Sequence, residues 1–156
     1  MSTPDPAMTY ALCVFAHSGV PEQIRVPEGN TRIAVMSARG VQTYQCTNAA
    51  WTFLQPDAIL QSDWRPQVLH TRGPVWTSVI DGSSVTAAVV ASAPVPNAIP
   101  ELLLSATAHR EPGLLAAVTY VQRLDTTGGL SPTGGCTEGR TASVPYTADS
   151  AFWTAA

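Results

Sequence analysis

Val75-Trp-Thr-Ser-Val-Ile-Asp81-Gly82-Ser-Ser-Val-Thr-Ala-Ala-Val-Val90 decides the fold. Two apolar runs rich in β-branched residues flank an Asp-Gly pair. That pair accepts positive φ at both turn positions, so the stretch reads as strands Val75–Ile80 and Ser83–Val90 about a type I′ hairpin. Upstream, 67–71 reads as a further strand joined through Arg72-Gly73-Pro74. Residues 31–38 alternate, with Ile33 and Val35 on one face and Arg32, Ala34 and Met36 on the other. Gly40 reads as a bulge or tight bend before 41–46 resumes the run. Residues 51–54 form a short strand, and Pro56-Asp57 opens a turn or a single helical turn through Leu60. Downstream, 92–98 is a crossing loop, 101–109 alternates cleanly, and 114–124 is a long strand after Pro112-Gly113. A Gly/Thr/Ser-rich loop spans 125–140, and 144–153 closes the sheet. The whole predicts an all-β chain, a single-domain antiparallel barrel or sandwich of eight or nine strands. Residues 1–20 lack a period and read as an N-terminal arm, with the domain over 21–156.

Composition narrows the function. Charged residues make up 12% of the 156 residues, so Ser, Thr, Asn and Gln carry solubility. Such a surface leaves room for an apolar pocket or a self-association patch, and is compatible with a homodimer. There is no lysine; the eight basic residues are all Arg. Schiff-base catalysis and a P-loop lysine are therefore excluded. The net charge is −3 and the arginines are scattered, so no basic stripe offers itself to nucleic acid. No apolar run approaches the ~20 residues of a membrane span. The start, Met1-Ser-Thr-Pro-Asp-Pro, carries acid where a secretory signal carries Lys or Arg, so the chain as written reads as cytoplasmic. Of three cysteines, Cys46 ends a strand-like block, Cys136 sits in the Gly-rich loop and Cys13 is left over. A Cys46–Cys136 disulfide and three reduced thiols both fit this spacing.

An ordered series of short blocks carries a resemblance. It runs Gly40-Val-Gln-x-Tyr-x-Cys46, Trp51-x-Phe53, His70-x-x-Gly-Pro-x-Trp76, Asp81-Gly-Ser83, Ile99-Pro-x-Leu-Leu-Leu104, Val118-Thr-Tyr-Val-Gln-Arg123, Thr127-Gly-Gly129, Gly135-Cys136 and Val144-Pro-Tyr-Thr-Ala148. Over about residues 20–153 the series resembles the domain-of-unknown-function family 3455. The resemblance implies a secreted or envelope-exposed habit for many members and a paired Cys46 and Cys136. It supplies no activity. Glu101 stands where the family usually has Trp, Thr77 where Glu is common, and Ser150 and Trp153 where it has Tyr.

Candidate chemistry is sparse. His70 precedes the Arg72-Gly73-Pro74 turn, and across a tight hairpin it shares a face with Trp76. It is either a general acid/base at a pocket mouth or a His packed on Trp at a strand end. Glu101, pointing inward, is a proton-donating carboxyl in an apolar wall; pointing outward, it is a solvated charge. Glu101 and His109 share a strand face, but eight residues of strand span ~26 Å, so they cannot act on one another. Gln122 and Arg123 end the long strand on opposite faces. Gln122 either bonds to backbone or reads a ligand polar group. Arg123 either pairs with Asp125 or Asp149 or clamps a ligand carboxylate. Tyr44, Trp51, Trp76 and Tyr120 supply core or pocket wall with polar handles. His17, His70 and His109 have no metal-ligand spacing, no Gly-x-Ser-x-Gly elbow is present, and the 128–135 glycines open no helix.

Two functions are therefore expected. In one, the domain binds a small, largely apolar molecule and, if catalytic, acts without a cofactor as a cyclase or isomerase of secondary metabolism, with His70 or Glu101 moving protons. In the other, it is a non-catalytic secreted or surface-associated module.

Overall fold

A computed structural model describes residues 19–156. Most of the expected 1–20 arm, with Cys13 and His17, lies outside the described residues. A short 3₁₀ turn, Glu22–Ile24, leads into eight strands: β1 Asn30–Thr47, β2 Ala50–Ser62, β3 Arg65–Thr71, β4 Val75–Ser78, β5 Ser84–Val95, β6 Ala98–Arg110, β7 Val118–Gly128 and β8 Thr141–Ala155. Each pairs antiparallel with its sequence neighbour, and β1 also pairs with β8, so the sheet closes into a barrel in chain order. Closure removes every free strand edge.

The long β1 makes closure possible. Its register runs from Ser37↔Gln61 to Thr47↔Ala50 on β2, and from Asn30↔Ala155 to Gln45↔Thr141 on β8. Gly40 is not a bulge: β1 continues through it, and the register shift lies at Thr43/Tyr44. Gly40 instead permits close approach, because a Cβ there would overlap the Asp57 carbonyl and Ala58. Likewise 56–60 is no turn but the middle of β2. A partner on each side of β2 draws these residues into the sheet over any local preference.

Inward residues fill one end of the barrel with apolar side chains. Met36, Leu60, Val68, Val85, Val118 and Phe152 pack together there, all 4% exposed or less. Leu115, from the β6–β7 connection, joins them as a plug. The Asp81-Gly82 turn holds that plug and is not a type I′ hairpin. Only Gly82 has positive φ, and five residues join Ser78 to Ser84. Asp81 is diverted to side-chain work: it accepts hydrogen bonds from the Ser83 amide, the Ser83 hydroxyl and the Leu114 amide. Ser83 Oγ in turn accepts from the Leu115 amide. These bonds, the Ser83 hydroxyl foremost, hold the exposed Asp81 carboxyl down to about 2.

A second, smaller apolar cluster lies outside the barrel. Ile24 is fully buried against Ala93 and Leu103, with Tyr120 and Leu124 beside them. The 3₁₀ turn thus covers the outer face of β5–β7, which explains why that face is not polar.

At the end opposite the plug, the β7–β8 connection is tied to β1. Cys46 and Cys136 form a disulfide, with Cα atoms 5.8 Å apart. The Cys46 amide donates to Arg140 O, and Tyr44 Oη donates to Gly129 O at 2.5 Å.

Two stability predictions follow from these contacts. Gly40→Ala should lower unfolding free energy by about 2–3 kcal/mol, since backbone must move to admit the methyl. Gly135→Ala, with open space at its Cβ, should change it by less than about 0.5 kcal/mol. Urea unfolding of both variants checks this. Replacing Cys46 and Cys136 together by Ala removes a cross-link between positions 90 residues apart and should cost about 4 kcal/mol in the same measurement.

Candidate functional site

Above the apolar plug the barrel interior opens into a cavity of about 310 Å³. Its floor is Trp76 on β4, 2% exposed, edge-on to Phe152 with ring centroids 6.4 Å apart. Register pairs His70 with Trp76 across the β3–β4 hairpin, so both side chains point inward. The rings stack at 4.3 Å and 14°. Leu102 and Leu104 form an apolar wall from β6, and Phe53 stands at the mouth, 56% exposed. Ala38 and Ala148, paired across β1 and β8, leave the space that larger residues would fill.

His70 is neutral in the fold. Its Nδ1 lies 3.2 Å from Val75 O, so Nδ1–H donates there and Nε2 keeps its lone pair. Burial, with the Arg123 charge assisting, pushes the imidazole down to about 4, against the Val75 bond and the Asp57 charge. Among the described residues Nε2 has no protein partner.

Arg123 enters from β7. Its Nε and one Nη donate to Pro100 O at 3.0 and 2.8 Å. The expected ion pair with Asp125 or Asp149 is not formed. Arg123 faces inward, while Asp149 lies outside the barrel, where burial and the neighbouring Asp125 raise its carboxyl. Burial also lowers the guanidinium to about 10, against the phenols of Tyr146 and Tyr44. Those are not counter-ions at neutral pH: burial pushes Tyr146 up to about 12 and raises Tyr44 as well.

The other expected site residues lie elsewhere. Glu101 is on the outer face and accepts from the Asp125 amide at 2.8 Å, so it cannot donate a proton into the cavity. Gln122 is also outside: Nε2 donates to Ile24 O, and Oε1 accepts from Trp153 Nε1. It fastens the 3₁₀ turn to β7, and both ends of its amide are bonded within the protein. Tyr120 packs in the outer cluster. Trp51 pairs with Cys46 near the β1–β2 turn, away from the cavity lining. Tyr44 is spent on Gly129 O.

One residue not anticipated from sequence, Gln42, belongs to the site beside the expected Trp76. Gln42 Oε1 and Trp76 Nε1 are buried in the wall without a partner among the described residues. Native interiors rarely leave such atoms unpaired, and each costs about 1–3 kcal/mol if left so. Gln42 had one available signal: it continues the inward parity of Met36 and Ala38.

The apolar wall, neutral imidazole and cation without a carboxylate leave room for a small molecule with an apolar body and few polar atoms. Among the described residues no cluster of His, Cys, Asp or Glu could hold a metal ion. No helix is long and apolar enough to cross a membrane.

A family model described as "Protein of unknown function (DUF3455)" matches residues 62–154. The match spans His70, Trp76, Arg123 and Cys136, while the Gly40–Cys46 and Trp51–Phe53 blocks precede it. No curated protein and no solved structure matches the chain.

The His70 environment makes stability pH-dependent. Unfolded imidazole takes its proton near 6.5, the folded one only near 4. Above pH 6.5 both states are neutral and this stability is fully present. It should decline as pH falls from 6.5 and be lost below 4, by on the order of 3 kcal/mol. Urea unfolding between pH 7 and pH 4 should show a flatter profile for His70→Gln than for the parent, by that amount.

Proposed function

Because the chain belongs to the family described as "Protein of unknown function (DUF3455)", a description that carries no activity, we propose its function from the barrel itself: it binds a small, largely apolar molecule in the cavity above Trp76. The observation that carries this reading is the combination of open volume with lining polar groups that keep unused hydrogen-bonding capacity. A cavity lined by Leu and Trp alone would stay dry and mean little. His70, whose Nε2 has no protein partner, and Arg123, which gives only part of its guanidinium to Pro100 O, line the same space as groups that a bound molecule can engage.

If the bound molecule also reacts, His70 is the group that moves a proton. Its Nε2 is unprotonated at neutral pH and its ring lines the cavity. Proton transfer within a ligand held in reacting shape needs no cofactor, and supports a cyclase or isomerase in which orientation carries much of the barrier. Glu101 has no part in this scheme.

The disulfide favours an oxidising compartment and so supports an exported protein. A secreted or surface-associated module that carries its ligand unchanged is the alternative to catalysis, and it uses the same cavity.

The test uses a neutral apolar fluorophore, N-phenyl-1-naphthylamine. The parent protein should enhance its emission, and 1-decanol should displace it. Ala148→Trp, which fills the cavity, should weaken binding by about tenfold or more while keeping the far-ultraviolet circular dichroism and cooperative urea unfolding of a folded barrel. Absence of enhancement by the parent, or equal binding by the folded variant, would sink the cavity reading.

A further inference from the structure

We infer that Arg123 is the anchor for a carboxylate, and that the molecule held in the barrel is an apolar monocarboxylic acid bound with its acid end at β7. The inference rests on the cavity reading above and adds the class of ligand.

The geometry of the guanidinium carries it. A guanidinium offers five N–H donors in a planar fork. Two are spent on Pro100 O, both on one edge of the group. The remaining three have no protein acceptor among the described residues, yet none sits on a fully buried nitrogen left unpaired. Arg123 itself lines the cavity. A free edge of this kind matches two carboxylate oxygens side by side.

Charge argues the same way. Removing a cation from water costs several kcal/mol unless an anion or a full set of hydrogen bonds offsets it. Neither is present in the protein. The Tyr44 and Tyr146 phenols stay neutral, and Asp125 and Asp149 lie outside the wall. Asp57, whose charge is felt at His70 and Tyr146, lies on the outside of β2 and is exposed, with Oδ2 accepting from Gln55 Nε2. A purely structural Arg would need only its bond to Pro100 O and could face the nearby acids. This one lines the same cavity as Leu102, Leu104 and Trp76.

The imidazole elsewhere in the wall fixes the orientation. His70 Nε2 is an acceptor and would repel a carboxylate placed against it. The acid end therefore belongs at Arg123, and the apolar body lies over the stacked His70–Trp76 pair.

Calorimetric titration with decanoate, 1-decanol and decylammonium separates the terms, since the three share a tail and differ in head charge. The parent protein should bind decanoate about 10- to 100-fold more tightly than 1-decanol, and decylammonium most weakly. Arg123→Met should bring decanoate and decanol to within about threefold while leaving decanol binding in place. Arg123→Lys, which keeps the charge, should preserve the ranking with a smaller gap. If Arg123→Met does not fold, the ranking in the parent and in Arg123→Lys decides. Equal affinity of the parent for decanoate and decanol overturns the carboxylate assignment and leaves the cavity reading standing. Failure of all three probes to bind, together with failure of the neutral fluorophore, overturns both.

Discussion

Everything in this protein depends on the pairing of one strand with two partners. β1 runs for 18 residues and is bonded along most of its length to β2 on one side and β8 on the other. Without the β1–β8 ladder the sheet would be open, with two unpaired edges and an interior exposed to water. With it, side chains of alternate parity on eight strands converge on one enclosed space. The constraint is tightest at Gly40, where β1 passes over β2 too closely for any side chain. A barrel of eight strands is just wide enough to be filled by side chains or to hold one small molecule. This one is filled at one end and keeps a cavity of about 310 Å³ at the other. Large residues, Leu60, Phe152 and Leu115, fill the lower half. Small ones, Ala38 and Ala148, face each other in the upper half and leave it open.

The site is built by the same parity. His70 and Trp76 face each other because the β3–β4 register sets them opposite, and Arg123 points inward because Val121 does. The polar groups gathered in this way are mostly those that the protein itself leaves unsatisfied. That is the physical difference between the upper interior and an ordinary core, where nearly all buried polar atoms find protein partners.

Strand alternation made much of this legible in the sequence. The all-β class, a count of eight or nine strands and the hairpin bringing His70 to Trp76 follow from short alternating runs separated by turn residues. The separation of Gln122 from Arg123 onto opposite faces follows from parity alone. Which face was inside did not. Gln122 shares a face with apolar Tyr120 and Leu124, and that face is buried too, beneath Ile24 of the 3₁₀ turn. A barrel with a covered outer wall has two apolar faces on the same strand, and period-two reading cannot rank them. Glu101 is hidden for the same reason, being on the parity of Leu103. The Asp81-Gly82 turn misleads differently. Local chemistry favours a tight hairpin, but the Asp81 side chain is claimed by the β6–β7 connection more than thirty residues away. Bulges at Thr86/Ala87 and Val118/Tyr120 shift parity midway along strands and leave no mark in the residue types.

The Leu115 plug has a kinetic meaning. With one end of the barrel packed and the β7–β8 connection bonded to β1 at the other, the mouth among the described residues lies near Phe53 and the β3–β4 hairpin. On the proposed reading, a molecule that entered there would leave by the same route in reverse. Its residence time would follow how readily that hairpin and Phe53 yield, and not the depth of the apolar contacts alone. Exchange of one occupant for another would then pass through an empty barrel.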